Sequence, residues 1–153
     1  MVGAPTVVTH MVYALNSSSA KLRALILELL AAICNVDPVQ GHRAVVSALS
    51  DYRIMFQESF RFESLIKFLR VPATQELITD EDAANLVVDE ENIWDSRTGC
   101  MALVNAIVSC PEILDDRILL RDEFTRRGIN EATVVSSSVK FISSGRGYDL
   151  LRH

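Results

Sequence analysis

The run Ala20-Lys21-Leu22-Arg23-Ala24-Leu25-Ile26-Leu27-Glu28-Leu29-Leu30-Ala31-Ala32-Ile33-Cys34-Asn35, followed by Val36-Asp37-Pro38, decides the fold class. Ala and Leu dominate it, and both favour helix. Asn16-Ser17-Ser18-Ser19 supplies N-cap oxygens ahead of it. Pro38 stops it by pushing the preceding residue out of the helical region. At 100° per residue, Lys21, Glu28 and Asn35 share a wedge of roughly 40°. Arg23 is the only other charged residue, and Leu22, Leu25, Ile26, Leu27, Leu29, Leu30, Ile33, Cys34 and Val36 occupy most of the remaining circumference. Such a helix needs neighbours on several sides. The spacing predicts an inner helix whose thin polar wedge is its only exposed part.

The pattern returns about 77 residues later. From about Ser96 to Ser109, Thr98, Asn105 and Ser109 share one wedge of roughly 40°. Cys100, Met101, Leu103, Val104, Ala106, Ile107 and Val108 fill the rest, and Cys110-Pro111 ends the run. Each inner helix is followed by more amphipathic ones. The first is followed by a helix from Gly41 to about Gln57, with Ala44, Val45, Ala48, Leu49 and Tyr52 apolar, then by one from Phe56 to Leu69. After the second, Asp115 or Asp116 is expected to cap a helix that runs to Arg127 and ends at Gly128. Asp122–Arg126 and Glu123–Arg127 are its i,i+4 pairs. The chain is therefore read as all-α, a partial α-solenoid of stacked helical repeats, with a compact bundle as the alternative. In a solenoid the polar wedges face the concave surface, where extended or helical ligands bind.

The outer segments carry weaker patterns. Residues 1–16 read as a poorly ordered or truncated helix, 17–131 as the helical body, and 132–153 as an irregular tail. The formal net charge of -5 is concentrated between Val71 and Asp95, which holds eight acidic residues and no Lys or Arg; the remainder is +3. That stretch reads as a solvated acidic insertion, with a short helix around Asp82–Val88. A docking segment for a basic partner is the second reading. Asp80-Glu81-Asp82 lacks the alternating oxygen ligands and central Gly of a calcium loop. The acidic balance argues against nucleic acid. No run approaches the ~18 apolar residues of a membrane span.

Chemistry-bearing motifs are absent from the sequence. Cys34, Cys100 and Cys110 read as small core hydrophobes in a reducing compartment, and zinc-type Cys/His spacing is missing. His42 reads as a surface or capping residue and Trp94 as a packing anchor at the start of the second inner helix. There is no phosphate loop, dinucleotide fingerprint or nucleophile elbow. Arg117, Arg121, Arg126 and Arg127 form a candidate basic contact patch. No metal, cofactor or catalytic residue is assigned, and an enzyme on a helical bundle is the least favoured class.

Two segments carry a resemblance. One is Ala20 to Cys34, followed by Phe60-Arg61-Phe62-Glu63-Ser64-Leu65; the other is Cys100 to Val108, then Leu114-Asp115-Asp116-Arg117-Ile118 and Leu120 to Ile129. A Cys-containing apolar helix, Asn105-Ala106, and the later run Arg121-Asp122-Glu123-Phe124-Thr125-Arg126-Arg127-Gly128 resemble the armadillo-like formin homology 3 region of diaphanous-related formins over roughly residues 15–131. The resemblance implies a cytoplasmic, non-enzymatic regulatory module of the actin cytoskeleton. It implies two partners: the formin's own C-terminal autoregulatory segment, held on the concave face, and an activating Rho-type GTPase that releases it. The family's further N-terminal repeats and GTPase-binding subdomain have no counterpart before residue 15, so GTPase binding is not expected of this chain alone. On this basis Lys21, Glu28, Asn35, Thr98, Asn105, Ala106 and Ser109 are the candidate groove residues. A generic α-solenoid scaffold without formin regulation is the alternative.

Overall fold

The computed structural model describes residues 7–70 and 82–133, with side chains over 7–70 and 92–133. Its first helix, α1 (Val7–Tyr13), runs into a 3-10 turn at Ala14–Asn16. Ser19 then opens α2 (Ala20–Val36), its hydroxyl accepting from the Leu22 N–H at 3.3 Å. Asp37 performs the same service for α3 (Gln40–Met55), accepting from the Gln40 N–H at 2.9 Å and the Val39 N–H at 3.3 Å. The remaining helices are α4 (Glu63–Leu69), α5 (Asp82–Ser109) and α6 (Leu114–Arg126). No strand occurs among the described residues, and the fold is all-α.

The core is one continuous apolar cluster. Leu27, Leu30 and Cys34 of α2 meet Leu103, Cys100 and Ile107 of α5; α3 adds Val45 and Leu49, and α4 adds Leu65, Ile66 and Leu69. The helices α2 and α5 are each other's main partner. They touch at equivalent positions. A Cβ at Gly99 would lie 3.1 Å from the Ala24 carbonyl oxygen. The Cys110 thiol donates to the Cys34 carbonyl at 3.3 Å. Contacts at a near-constant offset mean the two helices run parallel, as equivalent inner helices of adjacent stacked repeats do.

The corner between α2 and α3 is tight. Gly41 is buried, and a Cβ there would sit 2.5 Å from the Ile33 backbone oxygen. Alanine would gain up to ~1 kcal/mol of helix propensity, but overpacking against backbone costs about 1–3 kcal/mol. Because the clash is with backbone, which cannot swing aside as a side chain can, the cost lies in the upper part of that range, and Gly41→Ala is expected to lower the unfolding free energy by roughly 1–2 kcal/mol in a urea titration. Unchanged or raised stability would contradict this packing.

Several boundaries differ from those expected. Of the segment expected to be a poorly ordered or truncated helix, residues 1–6 lie outside the described residues, and the rest forms the short α1 and its 3-10 turn, with Thr9, Val12 and Leu15 buried and α1 packed on α3. The helix expected from Phe56 begins only at Glu63, because Gln57 (φ 53) and Phe62 (φ 70) take left-handed backbone that a helix cannot contain. The short helix expected around Asp82–Val88 within the acidic insertion does begin at Asp82, but it continues unbroken into the inner helix as α5, so Trp94 lies inside α5 rather than ahead of it. Residues 71–81 lie outside the described residues. Neither Asp115 nor Asp116 caps α6; its N-cap is Ile113, and the two acids occupy the first turn, where the helix dipole favours them. Gly128 ends that region with φ 91, as expected. Residues 129–133 are helical again and Ala132 is buried; the rest of the expected tail lies outside the described residues.

Charge pairing was only partly legible. Asp122 pairs with Arg126 as expected. Glu123 instead takes both arms of Arg61, at 3.1 and 2.5 Å, tying α6 to the loop before α4. Arg127 lies over the Phe60 ring at 4.5 Å. Arg97 is buried; it donates to the Arg70 carbonyl at 3.3 Å and lies 4.8 Å from the Trp94 ring centroid. Burial pulls its pKa down.

Candidate protein-binding face

Around α2, the exposed residues are Lys21, Leu22, Leu25, Glu28, Leu29, Ala32, Asn35 and Val36. On a helical projection they fill one unbroken arc of roughly 140°. Around α5, Asp95, Thr98, Met101, Ala102, Asn105 and Ser109 are exposed, an arc of roughly 120°. The contact side of α2 carries Ala24 and Ala31; that of α5 carries Gly99 and Ala106, with Cys110 just past its end. With the helices parallel, both arcs open to the same side. Glu28 and Asn35 lie at the seam, next to Gly99 and Cys110: the Glu28 Cγ would be 3.4 Å from a Cβ at Gly99, and the Cys110 Sγ is 3.6 Å from the Asn35 Oδ1.

This arrangement corrects the sequence expectation in one important respect. Lys21, Glu28, Asn35, Thr98, Asn105 and Ser109 are exposed, but the polar wedge is not the whole exposed surface of α2. Leu25 is 57% exposed, Leu29 51% and Val36 86%. Leu22 and Met101 join them. An apolar row therefore runs beside the polar seam. Leu22, Leu25 and Leu29 stand at i, i+3 and i+7 in the sequence, a spacing equally compatible with a covered side of the helix. Nothing in a single sequence distinguishes a leucine facing a neighbouring repeat from one facing a ligand.

Ala106 does not belong to the face. It is 4% exposed because it points at α2 within the α2–α5 contact. Nor do the four arginines form one patch. Arg117 and Arg121 share one side of α6, with Arg126 on the opposite side. Arg117 is half-buried with its Nε buried and unpartnered, Arg126 is paired with Asp122, and Arg127 is stacked on Phe60. Along the seam, the Ser109 hydroxyl donates to the Asn105 Oδ1 at 3.4 Å. That leaves the Asn105 amide NH2 available to an acceptor on a ligand. The Thr98 hydroxyl donates to the Trp94 carbonyl at 3.0 Å.

The titratable interior is built for packing. Burial pushes the Cys34 thiol up to about 12, and the thiols of Cys100 and Cys110 are raised for the same reason. All three are protonated at neutral pH and poor nucleophiles. His42 is half-buried, and its Nε2 lies 2.8 Å from the Ile107 carbonyl oxygen, bridging α3 to α5. Sequence position alone had suggested a surface or capping role. Among the described residues, no three His, Cys, Asp or Glu side chains could hold a metal ion, and no helix is long and apolar enough to cross a membrane.

Comparison of the sequence with known proteins identifies a family. The Diaphanous FH3 Domain model matches residues 42–140. Formin-F of Dictyostelium discoideum is 26% identical over 140 residues, covering 92% of this chain and 10% of its own length. Human Formin-like protein 3 is 29% identical and human Formin-like protein 2 is 30% identical, each over 127 residues, 83% of this chain and 10% of theirs. The chain thus spans about a tenth of the length of these relatives. A family match over more than half of the chain, on an all-α repeat with parallel inner helices, places it: the chain belongs to the Diaphanous FH3 domain family.

Proposed function

We propose that this domain is a non-enzymatic regulatory module of a formin, and that its α2–α5 face holds the formin's own C-terminal autoregulatory segment as an amphipathic helix. The observation that carries this is the continuous exposed face of two parallel inner helices, with an apolar row beside a polar seam. Such a face suits a helical ligand that lays its apolar side along the row. Occupation of the face would keep the actin-assembling part of the protein inhibited. A Rho-type GTPase bound elsewhere on the longer protein would release the segment by coupling of the two sites. FH3 family membership supports the module's regulatory class; the exposed row supports the kind of ligand.

Asn105 tests the seam. Its amide can donate to a ligand carbonyl, and a carboxylate in its place cannot. Loss of that hydrogen bond, about 1–1.5 kcal/mol, weakens binding roughly tenfold. In calorimetric titrations with the C-terminal segment of a formin, Asn105→Asp and Ser109→Asp are expected to bind about tenfold more weakly at unchanged thermal stability. Failure of the unsubstituted domain to bind any such segment would support the generic scaffold instead.

A further inference from the structure

A second groove lies away from the α2–α5 face, between α3 and α6. It encloses about 640 Å³, and none of its walls belongs to α2 or α5. Its α3 wall is a single helical stripe running from Val39 through Val46 to Ser50, about 16 Å along the helix axis. Val46 and Leu120 form a floor that is continuous with the core. The rim stays apolar where solvent would favour polar residues: Val39 is 58% exposed and Leu119 64%.

The charges on the two walls differ in sign. Arg43 stands on the α3 side, and Glu112 and Asp116 on the α6 side. None of the three forms an ion pair among the described residues. All three are exposed and line one cleft from opposite walls without an ion pair between them, so each is open to a charge on a partner. From this we infer that the α3–α6 groove is a docking site for an amphipathic helix of another protein, with apolar residues along its centre, acidic residues on one edge and basic residues on the other. The apolar strip meets Val46, Leu119 and Leu120; the acidic edge meets Arg43; the basic edge meets Glu112 and Asp116. Because the groove shares no wall with the α2–α5 face, both can be occupied together.

The test uses fluorescent 16-residue helical peptides with leucines at i, i+3, i+4 and i+7. One carries glutamates on one edge and lysines on the other; a second carries lysines on both edges. The mixed-edge peptide is expected to bind the unsubstituted domain, and Leu119→Asp, a change at an exposed position, to abolish binding. Arg43→Glu makes both walls acidic. It is expected to weaken the mixed-edge peptide at least fivefold and to strengthen the lysine-edged one. The double change Leu25→Asp, Leu29→Asp removes the α2–α5 row as a competing site for these peptides and is expected to leave the Leu119-dependent binding in place, with circular dichroism melting showing that each variant is folded. Indifference to Leu119→Asp, equal responses of the two peptides to Arg43→Glu, or loss of binding on the α2 double change would overturn the assignment.

Discussion

Phe124→Ala will lower the unfolding free energy by about 3–5 kcal/mol, the range for emptying a buried phenylalanine site. The reason is specific to α6. Phe124 is the one fully buried residue in that helix, at 2% exposure. Its ring stacks on Phe62 with centroids 4.6 Å apart and planes 16° from parallel. Phe62 itself sits at φ 70, a conformation costly for an aromatic residue and maintained only where packing over-determines it. Removing the Phe124 ring therefore opens a cavity and also frees the strained turn ahead of α4. The polar tie between Arg61 and Glu123 is half-exposed and cannot hold the helix alone. A urea titration measures the loss, and amide exchange along α6 shows whether that helix opens before the rest. A change below about 1 kcal/mol would mean that α6 is held by contacts other than this stack.

The inner helices were the most legible part of the sequence, and the reason is composition. Seventeen residues from Ala20 to Val36 with few polar breaks, closed by a proline, permit little except a helix. Their recurrence with the same ending identified the repeat. What could not be read was local backbone geometry. The left-handed turns at Gln57 and Phe62 carry no glycine or asparagine to announce them, so α4 looked longer than it is. The acidic composition of 82–95 showed the start of a helix near Asp82 but hid its continuation into the inner helix, because charge density disfavours burial without disfavouring the α conformation. Long-range pairs such as Arg61–Glu123 and the His42 bridge to Ile107 depend on tertiary placement and leave no local pattern.

Exposure of the assigned groove residues was also legible. Six of the seven residues assigned to the groove are exposed, because a polar residue on an apolar helix rarely has another destination. Ala106 failed because alanine serves equally at an exposed position and at a close helix–helix contact. The leucines failed in the opposite direction: expected to be covered, Leu22, Leu25 and Leu29 are all exposed, the last two by more than half.

Those leucines carry the second large effect. Leu25 and Leu29 lie in the centre of the row and contribute little to the core. Burying each under a ligand helix is worth about 1.5–3 kcal/mol when complete. Replacing both with aspartate removes that gain and forces two carboxylates toward an apolar surface. The double variant Leu25→Asp, Leu29→Asp is expected to lose at least ~100-fold in affinity for the C-terminal segment, about 2.7 kcal/mol. Its own stability should fall by only about 1 kcal/mol, because surface changes away from the core are small and aspartate is a modest helix former. Equal affinity with the unsubstituted domain would remove the apolar row from the interface.

The most direct test of the binding face is where the ligand sits. Methyl resonances of the domain can be followed during titration with the C-terminal segment of a formin. The resonances of Leu22, Leu25, Leu29 and Met101 are expected to shift and saturate together, while those of Leu114, Ile118 and Leu119 on α6 stay in place. Saturable shifts confined to α6, with the α2 and α5 methyls unmoved, would contradict the assignment of the α2–α5 face.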